Sequence, residues 1–370
     1  MMSRKLPEVC EIQYGFPFNS SLFSAEGDLP LIRIRDVVRG YTETYTSEKC
    51  DVAYLVHEGD ILVGMDGVFN VAKWKGEPAY LNQRVCRFIP NETIDADFLF
   101  YFIPTALKKI ENETAFVTVK HLKAKQLNAV VVPDVPIEEQ KKIAAQLNVI
   151  THLISLRQRQ AEKLDELVKA RFVEMFGGAY SVVIAEDVCE KIVDCPHSTP
   201  QYNERELKYP AIRTSEIQDG QIEWSSMKYV GINEYQRRIK RLIPEAGDIV
   251  YAREGTYGDC VILPEGYHFC LGQRTMLFRP NYKLCNSEYL HAVLRSAAVK
   301  YQADMSNAGS TVPHVNVSDA KRFHFPLPPL PLQNAFATFV HEVDREKERI
   351  QRSAALLETL KRSLMQQYFG

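Results

Sequence analysis

The chain has 370 residues, 45% of them hydrophobic and 25% charged, with a formal net charge of −2. That length is too great for one ordinary core, and no run of about 18 uncharged apolar residues offers a transmembrane span. The near-neutral balance gives no global attraction to polyanions, yet it leaves local basic surfaces able to bind nucleic acid.

The first residues, "MMSRKLPEVCEIQYG", lack the apolar centre of a signal peptide, which predicts a cytoplasmic chain with no membrane partner. Eight cysteines (10, 50, 86, 189, 195, 260, 270 and 285) show no C-x-x-C pair or metal-ligand spacing, as expected of free thiols in a reducing compartment. From "EVCEI" (8–12) onwards the chain matches itself, beginning with "DVCEK" (187–191). "PLIRIRDVVRG" (30–40) answers "PAIRTSEIQDG" (210–220), and "HEGDILVGMDG" (57–67) answers "EAGDIVYAREG" (245–255). "NQRVCRFIP" (82–90) answers "GQRTMLFRP" (272–280), and "TVKH" (118–121) answers "TVPH" (311–314). The offset drifts through these blocks and then holds at 193 to the end, pairing Pro133 with Pro326 and Gln140 with Gln333. Offsets drift in loops and hold where a regular element fixes register, so each copy is a variable globular part followed by a helical part of fixed length.

Within the globular parts, "GDILVGM", "QRVCRFIP", "GDIVYAR" and "QRTMLFRP" are short β-favouring runs bounded by Gly, Pro and Asn. "DADFLFYFIPTALKKI" (95–110) and "NSEYLHAVLRSAAVKY" (286–301) each read as one amphipathic helix. The helical parts carry an apolar stripe in steps of three and four. Ile143, Leu147, Ile150, Ile154, Ala161, Leu164, Val168 and Met175 form the first, interrupted by Arg157 and Arg171. Phe336, Val340, Val343, Ile350, Ala354, Leu357, Leu364 and Tyr368 form the second, interrupted by Lys347 and Lys361. Two rods of equal length with one apolar seam each are predicted to pair antiparallel. The fold class expected is α+β, with two pseudo-repeated domains joined by two long helices packed as an antiparallel coiled coil. The segments are 1–134 and 179–328 for the domains, 135–178 and 329–370 for the helices.

Catalytic signatures are sparse. Asp134, Glu139 and Lys141 in "VPDVPIEEQKK" give a compressed P-D…E-x-K pattern, the alternative reading being a stand-alone metal-dependent nuclease. The other copy has Leu327, Leu332 and Asn334 at those places, while it keeps the prolines and the glutamine. A turn leading into a helix, with acids in its first turn, accounts for both copies. There is no phosphate-binding loop, H-E-x-x-H, G-x-S-x-G or [DNS]-P-P-[FYW] motif. No catalytic, cofactor-binding or metal-ligating residue emerges.

Polar residues at matching places suit a nucleic-acid-reading surface instead. Arg33 and Arg35 in "LIRIR" and Arg213 in "AIRT" offer planar forks for phosphate or guanine edges. Gln83-Arg84 and Gln273-Arg274 set an adenine-capable amide beside a second arginine. Thr118, Lys120 and His121, with Thr311 and His314, add donors before the helical parts. The glycine-containing loops "MDGVFN" (with Asn70) and "REGTYG" (with Arg253, Thr256 and Tyr257) share a place but differ in chemistry, as positions encoding different specificities would.

These features together resemble the specificity subunit of type I restriction-modification systems, over essentially the whole chain. The most diagnostic are "VVVPDVPIEEQKKIA" and "FHFPLPPLPLQNAFA", each a P-x-x-P-x-x-x-Q run leading into a long helix that ends "EMFGG" or "QQYFG". The resemblance implies a non-catalytic chain with two target-recognition domains, each reading one half of a split sequence in double-stranded DNA. It implies helices that space the half-sites and dock two adenine-N6 methyltransferase subunits, with a restriction subunit joining through that complex. S-adenosylmethionine and Mg2+ are then expected on those partners, with no cofactor bound by this chain.

Overall fold

The computed structural model describes residues 4–27, 29–113, 121–203, 205, 207–306 and 314–370. The chain divides into two units, one built from residues 1–159 and 351–370, the other from 160–350. Each therefore takes one globular part and one end of each long helix.

In the first unit the main strands are β1 (Cys10–Tyr14), β2 (Leu29–Ile32), β3 (Ile61–Gly64), β4 (Val71–Lys73), β5 (Ala79–Leu81) and β6 (Val85–Pro90). They precede helix α1 (Ala96–Glu113) and the long helix α2 (Ile137–Phe176). One sheet runs β1-β6-β3-β4, antiparallel throughout, with Val85 opposite Gly64 and Phe88 opposite Ile61. A second sheet contains β2 and β5 as a parallel pair. The "GDILVG" run lies between two cores, because alternate side chains of a strand face opposite ways. Ile61 and Val63 join Phe88, Phe98 and Leu99, whereas Leu62 joins Ile32, Trp74 and Leu81.

The second unit repeats this plan with β7 (Cys189–Asp194), β8 (Tyr209–Ile212), β9 (Ile249–Ala252), β10 (Cys260–Ile262), β11 (Cys270–Leu271) and β12 (Thr275–Pro280). Its antiparallel sheet runs β7-β12-β9-β10, with Thr275 opposite Ala252 and Phe278 opposite Ile249, while β8 pairs parallel with β11. Ile249 and Tyr251 face one core, Val250 and Ala252 the other. The sequence repeat is thus a repeat of strand order and register.

One expectation is corrected. The segment 286–301 is not a single helix but two, α3 (Ser287–Leu294) and α4 (Ala297–Ser306), ahead of the second long helix α5 (Leu330–Phe369). The Arg295 side chain is drawn to Asp259, its Nε donating to Oδ1 at 2.6 Å, and the Ser296 carbonyl accepts from Lys300 to begin the next helix. The matching helix α1 stays continuous even with Pro104 inside it.

The P-x-x-P-x-x-x-Q run has a structural explanation. Gln140 and Gln333 are fully buried. Oε1 of Gln140 accepts the Asp95 backbone N–H at 2.9 Å, and Nε2 donates to the Val135 carbonyl at 2.7 Å. Oε1 of Gln333 accepts the Asn286 N–H at 2.8 Å, and Nε2 donates to the carbonyls of Pro328 (2.8 Å) and Leu284 (3.1 Å). Asp95 and Asn286 are themselves N-caps, accepting from Phe98 and Glu288 respectively. Each glutamine therefore fastens the start of a long helix to the start of a domain helix. The residues of the alternative nuclease reading are engaged separately: Asp134 pairs with Arg4, Glu139 with Lys142, and Lys141 with Glu138.

The long helices pair antiparallel in each unit. In the first, Ile143 and Leu147 of α2 share a core with Leu364 and Phe369 of α5, and Tyr368 reaches Gln146 at 3.1 Å. In the second, Phe172 and Phe176 of α2 pack edge-on against Phe336 of α5. Lys347, one of the interruptions of the stripe, is buried there and satisfied by Asp165 at 2.5 Å. A buried lysine needs such a partner.

Candidate nucleic-acid interface

Three segments meet at the same place in both units: the loop after β3 or β9, the turn before β6 or β12, and the residue ahead of the last short helix. In the first unit the Met65 N–H donates to the Arg84 carbonyl (3.0 Å) and the Leu122 N–H to the Met65 carbonyl (2.8 Å). In the second, the Arg253 N–H donates to the Arg274 carbonyl (2.9 Å) and the Val315 N–H to the Arg253 carbonyl (3.0 Å). These backbone ties gather a carboxylate, an arginine and a histidine. Asp66 pairs through Oδ2 with Nη1 of Arg84 at 3.0 Å and through Oδ1 with Nδ1 of His121 at 2.5 Å. Glu254 pairs through Oε2 with Nε of Arg274 at 3.0 Å and through Oε1 with Nδ1 of His314 at 3.0 Å. The carboxylates are partly covered, whereas the side chains of Arg84 and Arg274 are 53% and 65% exposed.

Neither Asp66 nor Glu254 belongs to the set expected from the sequence. The signal was present, since "MDG" and "REG" set an acid at matching places.

Arg253, expected at the DNA-facing surface, lies instead mostly within its unit. It is buried, and its guanidinium donates to the Val315 carbonyl (2.8 Å) and Asp194 (2.6 Å), with Nη2 lying 2.9 Å from Nε2 of His314. The matching residue in the first unit is the apolar Met65, also buried.

Arg33 and Arg213 stand beside these clusters and differ instructively. Each donates its backbone N–H to a fully buried acid three residues on, Asp36 at 2.9 Å and Glu216 at 2.8 Å. Glu216 is one methylene longer and also takes the Arg213 guanidinium, with Nε at 3.0 Å, while Ser226 accepts from Nη2 at 3.1 Å. The Arg213 guanidinium also lies 5.2 Å above the Tyr202 ring. That of Arg33 lies 5.9 Å above Phe23, and no side-chain hydrogen bond is made by it among the described residues. Gly272 sets Arg213 against the Gln273-Arg274 turn, because any Cβ there would run into the Arg213 stem and the Ile212 carbonyl.

The remaining expected residues fall in four groups. Arg35 and Gln83 are exposed, Arg35 donating to Thr44 at 3.2 Å. Asn70 closes its loop by accepting the Gly64 N–H at 2.9 Å. Gln273 (to Thr199, 2.7 Å), Thr256 (to the Thr214 carbonyl, 3.1 Å) and Tyr257 (to Asp304, 2.7 Å) are tied within the second unit. Thr118, Lys120 and Thr311 lie outside the described residues.

Among the described residues no group of three or more His, Cys, Asp or Glu is arranged to hold a metal ion. All eight cysteines are free, and burial pushes the thiols of Cys10, Cys270 and Cys285 up to about 12. Such thiols remain protonated and are poor nucleophiles or ligands. Burial also pushes the His291 imidazole down to about 4, so it stays neutral under the second unit's sheet.

Comparison with known proteins places this geometry in a family. The model of the type I restriction modification DNA specificity domain matches residues 1–166 and 180–358. The EcoBI type I restriction enzyme specificity subunit of Escherichia coli is 27% identical over 404 aligned residues, covering 98% of this chain and 84% of that protein. The MjaVIII specificity subunit of Methanocaldococcus jannaschii is 22% identical over 330, covering 81% and 77%. Two solved structures share the fold. One is the type I restriction-modification S subunit from M. genitalium, with a TM-score of 0.55 at 13% identity and coverage of 100% and 96%. The other comes from work on complex assembly and conformational transition of the type I R-M system, with a TM-score of 0.59 at 16% identity and coverage of 100% and 97%. With nearly its whole length matched and the same two-unit fold, the chain belongs to the type I restriction-modification DNA specificity family, whose members are non-catalytic DNA-recognition subunits.

Proposed function

We propose that the chain reads a bipartite sequence in double-stranded DNA, one half-site per recognition domain (1–134 and 179–328), and brings partner subunits to it. The observation that carries this reading is the carboxylate–arginine–histidine cluster, built twice at matching backbone positions with different neighbours. Repetition of the frame suits two readers of the same kind. Changed neighbours, such as Met65 against Arg253, suit two different half-sites.

The partners are two adenine-N6 methyltransferase subunits, with a restriction subunit joining through them. Val149, Leu153 and Leu156 leave an exposed apolar row on one face of α2, a surface suited to a partner helix. S-adenosylmethionine and Mg2+ belong to those partners. The two 40-residue helices, segments 135–178 and 329–370, act as the spacer between half-sites, as dimer geometry does elsewhere. Among the described residues no helix is long and apolar enough to cross a membrane, and the cytoplasm is the proposed location.

Arg84→Ala should relax base preference in one half-site and Arg274→Ala in the other, each by about 1–3 kcal/mol, the worth of a bidentate base contact. Methylome sequencing of a host expressing each variant with its methyltransferase partner reads both half-sites at once. Simultaneous relaxation of both halves by one substitution would refute the assignment of one domain to one half-site.

A further inference from the structure

We propose that Asp66 and Glu254 are specificity-determining residues that bias their arginines towards neutral base edges and away from DNA phosphate. The inference rests on the reading of these loops as DNA-facing.

An exposed arginine with nothing beside it binds any phosphate, which adds affinity without sequence information. Arg84 and Arg274 are not in that state. Each has a guanidinium nitrogen 3.0 Å from a carboxylate while its side chain as a whole stays more than half exposed. The carboxylate is fixed in turn, because its other oxygen is held by His121 or His314. Arg274 is further constrained by a left-handed backbone, φ +62°, which non-glycine residues seldom adopt.

A phosphate approaching the free edge of such a fork meets a guanidinium already neutralised and a second anion behind it. A guanine O6/N7 edge offers two neutral acceptors and suffers no such repulsion. The acid therefore weakens the non-specific contact more than the specific one, which is how discrimination is gained at some expense of affinity. The contacted nitrogen differs between the units, Nη1 of Arg84 with Asp66 and Nε of Arg274 with Glu254.

The test uses the chain assembled with its methyltransferase partner, a random-sequence duplex as the non-specific probe, and the methylated motif as the specific readout. Asp66→Asn should raise affinity for the random duplex about tenfold, the size of one charge-assisted contact. It should steepen the salt dependence by about one phosphate contact and broaden only the half-site that Arg84→Ala broadens. Glu254→Gln should do the same for the other half. Asp66→Glu keeps the charge and should keep wild-type affinity for the random duplex. If Asp66→Asn changes neither readout while Arg84→Ala broadens a half-site, the biasing role is wrong and the DNA-facing reading stands. If Arg84→Ala also changes neither, the DNA-facing reading itself fails. Loss of binding to random and target duplexes alike, with no rescue by Asp66→Glu, would make Asp66 a structural residue and overturn the proposal.

Discussion

Phe369→Ala should destabilise the unit formed by residues 1–159 and 351–370 by about 3–5 kcal/mol, the range for removing a buried phenylalanine. Phe369 is buried, with its ring edge-on to Phe98 at 5.2 Å and tilted against Phe102 at 6.0 Å. The cavity left behind would be lined by α1, by the first turns of α2 and by Leu364. Hydrogen exchange is the suitable measurement, because it reports opening segment by segment. Protection should fall in β3, β6 and α1 and hold in β9, β12 and α3, since Phe369 shares no core with the latter. Phe176→Ala supplies the mirror image, its ring lying against Tyr289 and Phe336. Equal loss of protection in both units from either substitution would show that the two cores do not open separately.

Gln333→Leu should cost about 3 kcal/mol although it makes the site more apolar, because it strands buried backbone groups. The Asn286 N–H and the carbonyls of Pro328 and Leu284 all depend on this one amide. Leucine fills the volume and satisfies none of them. Gln333→Glu separates hydrogen bonding from volume, since it keeps an acceptor for Asn286 but turns the second oxygen towards two carbonyls. Protonation relieves that conflict, so the folded-state pKa of the new carboxyl would lie above its unfolded value of about 4.3. Stability of the Glu variant should then be highest below that value and fall as pH rises towards neutrality. Urea titrations of the three proteins at acid and neutral pH would show this. A Leu variant as stable as the parent would mean that water takes over these bonds at no cost.

Much of the frame was legible because it is written in periodicities. Ile61 and Val63 against Leu62 follow the two-residue alternation of a strand. The three-four stripe of the long helices holds even at Lys347, a charged residue buried at a stripe position. What escaped depends on partners far away in the chain. The break between α3 and α4 coincides with Arg295 reaching Asp259, a distant partner, while Ser296 caps the new helix by accepting the Val299 N–H at 3.4 Å, the one local signal in "VLRSAAV". Arg253 reads as an exposed loop arginine, yet Asp194 and the Val315 carbonyl, about sixty residues to either side, claim it for the interior. Asp66 and Glu254 were overlooked for a related reason. Each acid lies in a loop whose arginine and histidine partners are distant in sequence, and only the structure shows that the trio recurs in both units.

The sharing of helix ends between the two cores has a consequence for biosynthesis. Domains ordinarily fold in the order in which they leave the ribosome. Here the unit that begins at the N-terminus needs Phe369 for its core, so it stays incomplete until residues near 369 have emerged. The unit made later draws on residues 160–350 and can close first. Translation therefore leaves the earliest-made core, drawn otherwise from residues 6–147, waiting for Phe369 to close it, which is the interval in which a chaperone or an early-arriving partner subunit would matter most.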